Sequence, residues 1–121
     1  MRKTVLVLEG DADLRQTILD ALEAAGFEVV TAANGLDALE ALRDIREPSL
    51  ILLDLKLPGL DGIEFRRRFL ETLQLPAVPV VLLSGDSKGQ EQARTLGFPS
   101  LKKPFGKKDL QRIVAQYCAE N

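Results

Sequence analysis

The sequence contains no histidine and no tryptophan, and only one cysteine, one methionine and one tyrosine among 121 residues. Without histidine the commonest general acid–base group near neutral pH is missing, and so is the commonest zinc ligand. Cys118 has no second cysteine to pair with in this chain. The core must therefore hold without an internal cross-link, and a reducing, cytoplasmic setting is expected. Long apolar runs are also missing: none approaches the roughly 20 residues that a membrane helix needs. The opening Met1-Arg2-Lys3-Thr4 leads into only four apolar residues before Glu9, Asp11 and Asp13, which is not the shape of a signal peptide. Neither sign of charge dominates, with 16 basic and 18 acidic residues and a net charge of -2. That balance argues against a surface dedicated to nucleic acid or to anionic lipid.

What remains is the composition of an ordinary globular chain, 45% hydrophobic and 28% charged. Its length suits one domain with a real core, expected to span 1–121. Val5-Leu6-Val7-Leu8 is a short continuous apolar run, the pattern of a strand buried on both faces. Asp11 then reads as the cap of a helix carrying Leu14, Ile18, Leu22 and Ala25, stopped by Gly26. Residues 28–31 read as a second strand. Asn34 caps a second helix with Leu36, Leu39 and Leu42, and Pro48 ends that segment. Leu50-Ile51-Leu52-Leu53 is the third and most apolar strand, terminating on Asp54. A Pro58-Gly59 turn and a capping Asp61 lead into a third helix with Ile63, Phe69 and Leu70. Val80-Val81-Leu82-Leu83 forms a fourth strand ending on Ser84. A fourth helix over 87–96 stops at Gly97, and a weak fifth strand covers 100–102. A last helix from about Lys107 to Ala119 turns Leu110, Ile113, Val114 and Tyr117 inward.

Five alternating strand–helix units with doubly buried strands predict an α/β fold, a parallel sheet with helices on both faces. Ligands of such sheets bind outside the carboxyl ends of the strands. Strand one ends on Glu9, strand three on Asp54, strand four on Ser84 and strand five on Lys103. Neighbouring carboxylates suit a hard divalent cation such as magnesium. A lysine and a hydroxyl beside them could hold the oxygens of a transferring phosphoryl group. A carboxylate can also be the nucleophile itself. The strand ends thus predict phosphoryl transfer onto Asp54 with the help of a metal. A carboxylate that closes four aliphatic residues is costly without such a purpose.

Three segments carry a family resemblance. Leu53-Asp54-Leu55-Lys56-Leu57-Pro58-Gly59-Leu60-Asp61-Gly62 resembles the phosphoacceptor segment of the receiver domains of two-component response regulators. Val80-Val81-Leu82-Leu83-Ser84-Gly85 resembles their strand ending in a switch hydroxyl. Lys103-Pro104-Phe105 resembles their lysine segment, whose Lys-Pro bond is typically cis. The resemblance covers essentially the whole chain. It implies a doubly wound, flavodoxin-like sheet of strand order 2-1-3-4-5, with Asp54 as phosphoacceptor and Lys103 and Ser84 stabilising and reading the phosphoryl group. It further implies magnesium at Asp54, Glu9 and the backbone carbonyl of Lys56, with Asp11 as a further candidate ligand. The implied donor is a histidine kinase or histidine phosphotransfer protein. The implied output partner meets the face of the fourth helix, fifth strand and fifth helix. Such a domain is a phosphoacceptor rather than an enzyme, at most phosphorylating itself from a donor and losing the phosphate again. It stands alone or is a fragment of a larger protein.

Two positions depart from the family pattern. Gly10 stands where the second acid after strand one, a direct metal ligand, is usual. Ser100 stands where an aromatic switch residue is usual. Both favour an alternative, a pseudo-receiver that binds proteins and is phosphorylated weakly or not at all. Asp54, Ser84 and Lys103 favour the phosphorylated domain. A flavin- or nucleotide-binding enzyme of similar fold would need a glycine-rich phosphate loop after strand one, which this sequence lacks. Of the remaining features, Asp11 reads first as a helix cap, Arg66-Arg67-Arg68 as a solvated helix face, the lysines 102, 103, 107 and 108 as too sparse for DNA, and Cys118 as packing or surface. Lys56 is expected at the rim of the pocket, near Asp86 or Glu9.

Overall fold

The computed structural model describes residues 3–45, 47–55, 71 and 78–118. Within them the chain runs β1 (Thr4–Leu8), α1 (Ala12–Ala24), β2 (Glu28–Ala32), α2 (Gly35–Ala41), β3 (Leu50–Asp54), β4 (Val80–Ser84), α3 (Ser87–Leu96), β5 (Ser100–Lys102) and α4 (Lys107–Cys118). The strands make one sheet of order β2-β1-β3-β4-β5, parallel throughout, with Leu6 opposite Val30 and Ile51, Leu53 opposite Leu82, and Leu83 opposite Leu101. Fold class and strand order are therefore those expected. The expected third helix, the Pro58-Gly59 turn and Arg66-Arg67-Arg68 lie outside the described residues.

Successive strand residues point to opposite faces, and the core divides accordingly. Val5, Val7, Leu50, Leu52, Val81 and Leu83 pack with Ile18, Leu22, Leu110 and Val114 on the side of α1 and α4. Leu6, Leu8, Ile51, Leu53, Val80 and Leu82 pack with Ala38, Leu42 and Ala93 on the side of α2 and α3. Burial on both faces explains why β3 and β4 read as unbroken aliphatic runs. The Nε2 of Gln111 ties α4 to α1 by donating to the Ala21 carbonyl at 2.8 Å.

The helix ends follow local chemistry. Asp11, Asn34 and Asp86 each cap a helix by accepting backbone N–H bonds of its first turn. Gly26 and Gly97 take positive φ just past α1 and α3, the conformation that leaves a helix without penalty at glycine. Two inward faces differ in part from expectation. In α1 it is Ala21 that is buried, and Ala25 is the exposed C-cap. In α2 Leu39 and Leu42 pack on the core as expected, joined by buried Gly35 and Ala38, and Leu36 faces solvent at 67% exposure. That helix also stops at Ala41, well before Pro48, with its last carbonyls taken up in turns through Asp44 and Ile45. Cys118 is buried in the core, which raises its thiol pKa against the opposing charge of Lys3. The Lys3 ammonium donates to the Cys118 carbonyl.

Candidate functional site

The strand alternation that sorts the core also sorts the groups at the carboxyl edge. Glu9 continues the parity of Val5 and Val7, Asp54 that of Leu50 and Leu52, and Lys103 that of Leu101, so all three belong to the face of α1 and α4. Ser84 continues the parity of Val80 and Leu82 and belongs to the opposite face, under α3. The ladder fixes the backbones: the Glu9 N–H donates to the Ala32 carbonyl at 3.1 Å and the Lys103 N–H to the Ser84 carbonyl at 2.7 Å. The Lys103–Pro104 bond is cis, as the resemblance implied.

On the first face the Lys103 ammonium lies 2.8 Å from Glu9 Oε1 and 3.4 Å from Asp54 Oδ1. The other Glu9 oxygen, Oε2, accepts the Asp11 backbone N–H at 3.1 Å. Glu9 is 1% exposed and Asp54 6%. Burial raises the Glu9 pKa above the ordinary carboxylate range, and neighbouring Asp54 adds to this, while Lys103 and the Asp11 N–H pull it back. Burial alone would lower the Lys103 pKa. The bond to Glu9 and the charge of Asp54 outweigh it, so Lys103 holds its proton more tightly than a free lysine. Two carboxylates thus share one cation at the end of the sheet.

The loop after β1 is tied down on both sides. Asp11 Oδ1 accepts the N–H groups of Asp13 and Leu14 at 2.9 and 3.2 Å, so its carboxylate serves the start of α1. The Arg15 guanidinium reaches back to the Glu9 carbonyl at 2.9 Å. Gly10, exposed between them, offers no side chain. Magnesium is commonly held by one or two carboxylates and keeps several waters. Glu9 and Asp54 supply two, both already in contact with Lys103. Among the described residues no group of three or more acidic, cysteine or histidine side chains gathers around a common point. Lys56, with its expected carbonyl ligand and rim position, lies outside the described residues.

On the second face the Ser84 hydroxyl is turned into its own loop. It donates to the Asp86 carbonyl at 2.8 Å, and the Asp86 N–H approaches it at 3.4 Å. Asp86 Oδ1 in turn accepts the Gly89 N–H at 2.7 Å. The structure therefore brings Glu9, Asp54 and Lys103 into contact and leaves Ser84 beside them, bonded elsewhere. Ser100 is half-buried on β5 and lines, with Arg94, Phe98 and Tyr117, a recess between α3 and α4. Arg15 and Gly89 escaped the sequence reading, which took Asp86 only as a neighbour of Lys56 and not as the cap of α3. That cap was accessible to it, as an acid three residues before a glycine at the head of a helix; Arg15 and Gly89 depend on folded geometry.

Comparison with known proteins identifies the kind of domain. A family model described as "Response regulator receiver domain" matches residues 5–115. The phosphate regulon transcriptional regulatory protein PhoB of Pseudomonas aeruginosa is 36% identical over 113 residues, which are 89% of this chain and 48% of PhoB. The response regulator receiver protein CpdR of Brucella abortus is 36% identical over 115 residues, 89% of this chain and 90% of CpdR. The chain spans about half the length of PhoB and of the DNA-binding response regulator MtrA. The chemotaxis response regulator CheY4 of Vibrio cholerae superposes with a TM-score of 0.85 at 26% identity, covering 97% of this chain and 99% of CheY4. Fold, strand-end chemistry and relatives converge, and the chain belongs to the response regulator receiver domain family of two-component signalling.

Proposed function

We infer that the chain, as a single domain, accepts a phosphoryl group on Asp54 from a histidine kinase or histidine phosphotransfer protein. The observation that carries this reading is the Lys103 ammonium 3.4 Å from Asp54 Oδ1 and 2.8 Å from Glu9 Oε1, at the buried end of the sheet. An Asp54 oxygen attacks phosphorus, the bond from phosphorus to the donor nitrogen breaks, and the donor imidazole leaves with its electron pair. Lys103 neutralises charge on the transferring group and on the acyl phosphate formed. Glu9 and Asp54 would hold magnesium, which when bound neutralises the charge that an incoming phosphate meets in an acidic pocket. Ser84 reads the product by turning its hydroxyl to a phosphoryl oxygen, which shifts the balance between two pre-existing states. The readout falls on the face of α3, β5 and α4, where an output partner binds. This activity belongs to the cytoplasm, where the donor proteins act and a lone buried thiol stays reduced.

A second reading, a protein-binding module with weak or absent phosphorylation, is favoured by Gly10. Both are decided by incubating the protein with magnesium and acetyl phosphate and recording its intact mass. One added phosphate, absent in Asp54→Asn, is expected. No addition to the parent supports the pseudo-receiver, and stoichiometric addition to Asp54→Asn overturns the site.

A further inference from the structure

The first turn of α3 rests directly on the Ser84 hydroxyl, and one residue makes this approach feasible. A β-carbon on Gly89 would overlap Ser84 Oγ and would stand 3.2 Å from both Asp86 Oδ1 and Leu55 Cδ1. Glycine inside a helix costs up to about 1 kcal/mol relative to alanine, and Gly89 does not use positive φ. Its place in the fold is explained by the space that it leaves. The hydroxyl occupies that space, donating to the Asp86 carbonyl. Meanwhile the Gly89 N–H is fixed on the Asp86 carboxylate.

The Ser84 backbone has little freedom, since its carbonyl accepts the Lys103 N–H at 2.7 Å. The hydroxyl is therefore left with a choice among staggered positions about χ1. One position is the seat against Gly89. Another must face Asp54 if the hydroxyl is to bind a phosphoryl oxygen there. We propose that Gly89 is a positioning residue: by leaving the seat open it holds the Ser84 hydroxyl off the phosphoryl site in the resting state, and so sets how readily the site takes up phosphate. This rests on the reading of Asp54 as phosphoacceptor. A methyl group in the seat would expel the hydroxyl and shift the resting population towards the phosphoryl-facing position. Ser84 would then be preorganised rather than having to move.

The test has two readouts. The χ1 population of Ser84 is measured by NMR couplings in the unphosphorylated parent and in Gly89→Ala. The rate of phosphate uptake from acetyl phosphate is measured in the parent, Gly89→Ala, Ser84→Ala and the double variant. Gly89→Ala is expected to depopulate the seated position and to speed uptake several-fold. In the Ser84→Ala background the same change should leave the rate within about twofold, because the atom it displaces is gone. If Gly89→Ala folds poorly, recovery of the fold in the double variant supports the same contact, and no recovery overturns it. An unchanged Ser84 rotamer, or equal rate changes in both backgrounds, overturns the proposal. A parent that takes up no phosphate refutes the phosphoacceptor reading instead, while the rotamer measurement still decides the role of Gly89.

Discussion

The two faces of the sheet end in different chemistry. Towards α1 and α4, Glu9, Asp54 and Lys103 form a buried charged group in which each member depends on the others. Towards α3, Ser84 and Asp86 form a turn and a helix cap, joined to the first group by the backbone bond from Lys103 to Ser84. Under the function proposed above, the difference separates reaction from readout. On that reading the charged face receives the phosphoryl group, and the hydroxyl that would respond to it waits on the other side. A resting site of this kind stays quiet until the ligand itself supplies the reason for Ser84 to cross.

The largest expected effect breaks the charged face. Lys103→Met removes the cation and leaves two neighbouring carboxylates at the sheet end. Breaking a fully buried ion pair costs about 3–5 kcal/mol. Lys103 is 22% exposed, so about 2–3 kcal/mol is expected at neutral pH, read from urea unfolding. Phosphate uptake should fall by more than about tenfold. The deficit should depend on pH in a definite sense. Glu9 already has a raised pKa in the folded protein, and loss of Lys103 raises it further. Between the ordinary glutamate value and that raised value the folded state binds more protons than the unfolded one, so stability falls as pH rises through this window. The variant should therefore recover part of its loss as pH is lowered from neutral towards the ordinary carboxylate range. A deficit that is constant with pH would show that packing of the lysine stem, not its charge, is what matters. In the parent, Lys103 has a raised pKa. Its contribution should persist to alkaline pH and be lost only as pH passes its folded value.

A smaller change tests whether the second face is independent. Asp86→Ala removes the carboxylate that accepts the Gly89 N–H and caps α3. About 1 kcal/mol of stability should go with it. If the two faces are separate in the resting protein, this loss and that of Lys103→Met add to within about 0.5 kcal/mol. A larger coupling energy would mean that the backbone bond from Lys103 to Ser84 transmits strain even without phosphate.

The sequence and the fold differ most where a contact spans distance. The aliphatic runs at 5–8, 50–53 and 80–83 identify buried parallel strands because period and composition are local properties, and Glu9, Asp54 and Ser84 follow as the residues that end them. Strand parity is equally local, so the separation of Ser84 from the charged group was within reach of the sequence: 84 counts with 80 and 82. The sharing of Lys103 between Glu9 and Asp54 was not, since it depends on how β1, β3 and β5 end relative to one another. The same holds for Gly89, whose meaning lies in a neighbour five residues earlier that folds under it. The inward face of α2 shows another limit. Leu36, Leu39 and Leu42 match helical spacing, yet Ala38 and Gly35 face the sheet and Leu36 does not, because the close approach of helix to sheet favours small residues there.

The smallest expected effect adds to the charged face and concerns Gly10. An aspartate there is not barred by the backbone, since the described glycines at positive φ are Gly26 and Gly97. Without metal, Gly10→Asp brings a third carboxylate towards two that share one ammonium, an unfavourable contribution of roughly 0.5 kcal/mol at an exposed position. Replacing glycine also reduces the freedom of the unfolded chain, which favours folding by about 0.4–1 kcal/mol. The two nearly cancel, so the metal-free variant should melt close to the parent. Magnesium should separate them. With Glu9 and Asp54 alone the parent gains little stability from the ion, whereas a third carboxylate gives the variant an ion-dependent gain that grows as RT ln(1 + [Mg²⁺]/Kd). A tenfold tighter site yields up to about 1.4 kcal/mol, a rise of several degrees in Tm. Magnesium-induced NMR shifts should centre on Glu9, residue 10 and Asp54 and leave the Ser84 turn in place. Tight binding by the parent, unimproved in Gly10→Asp, would show that Asp11 leaves its cap or that another group completes the site.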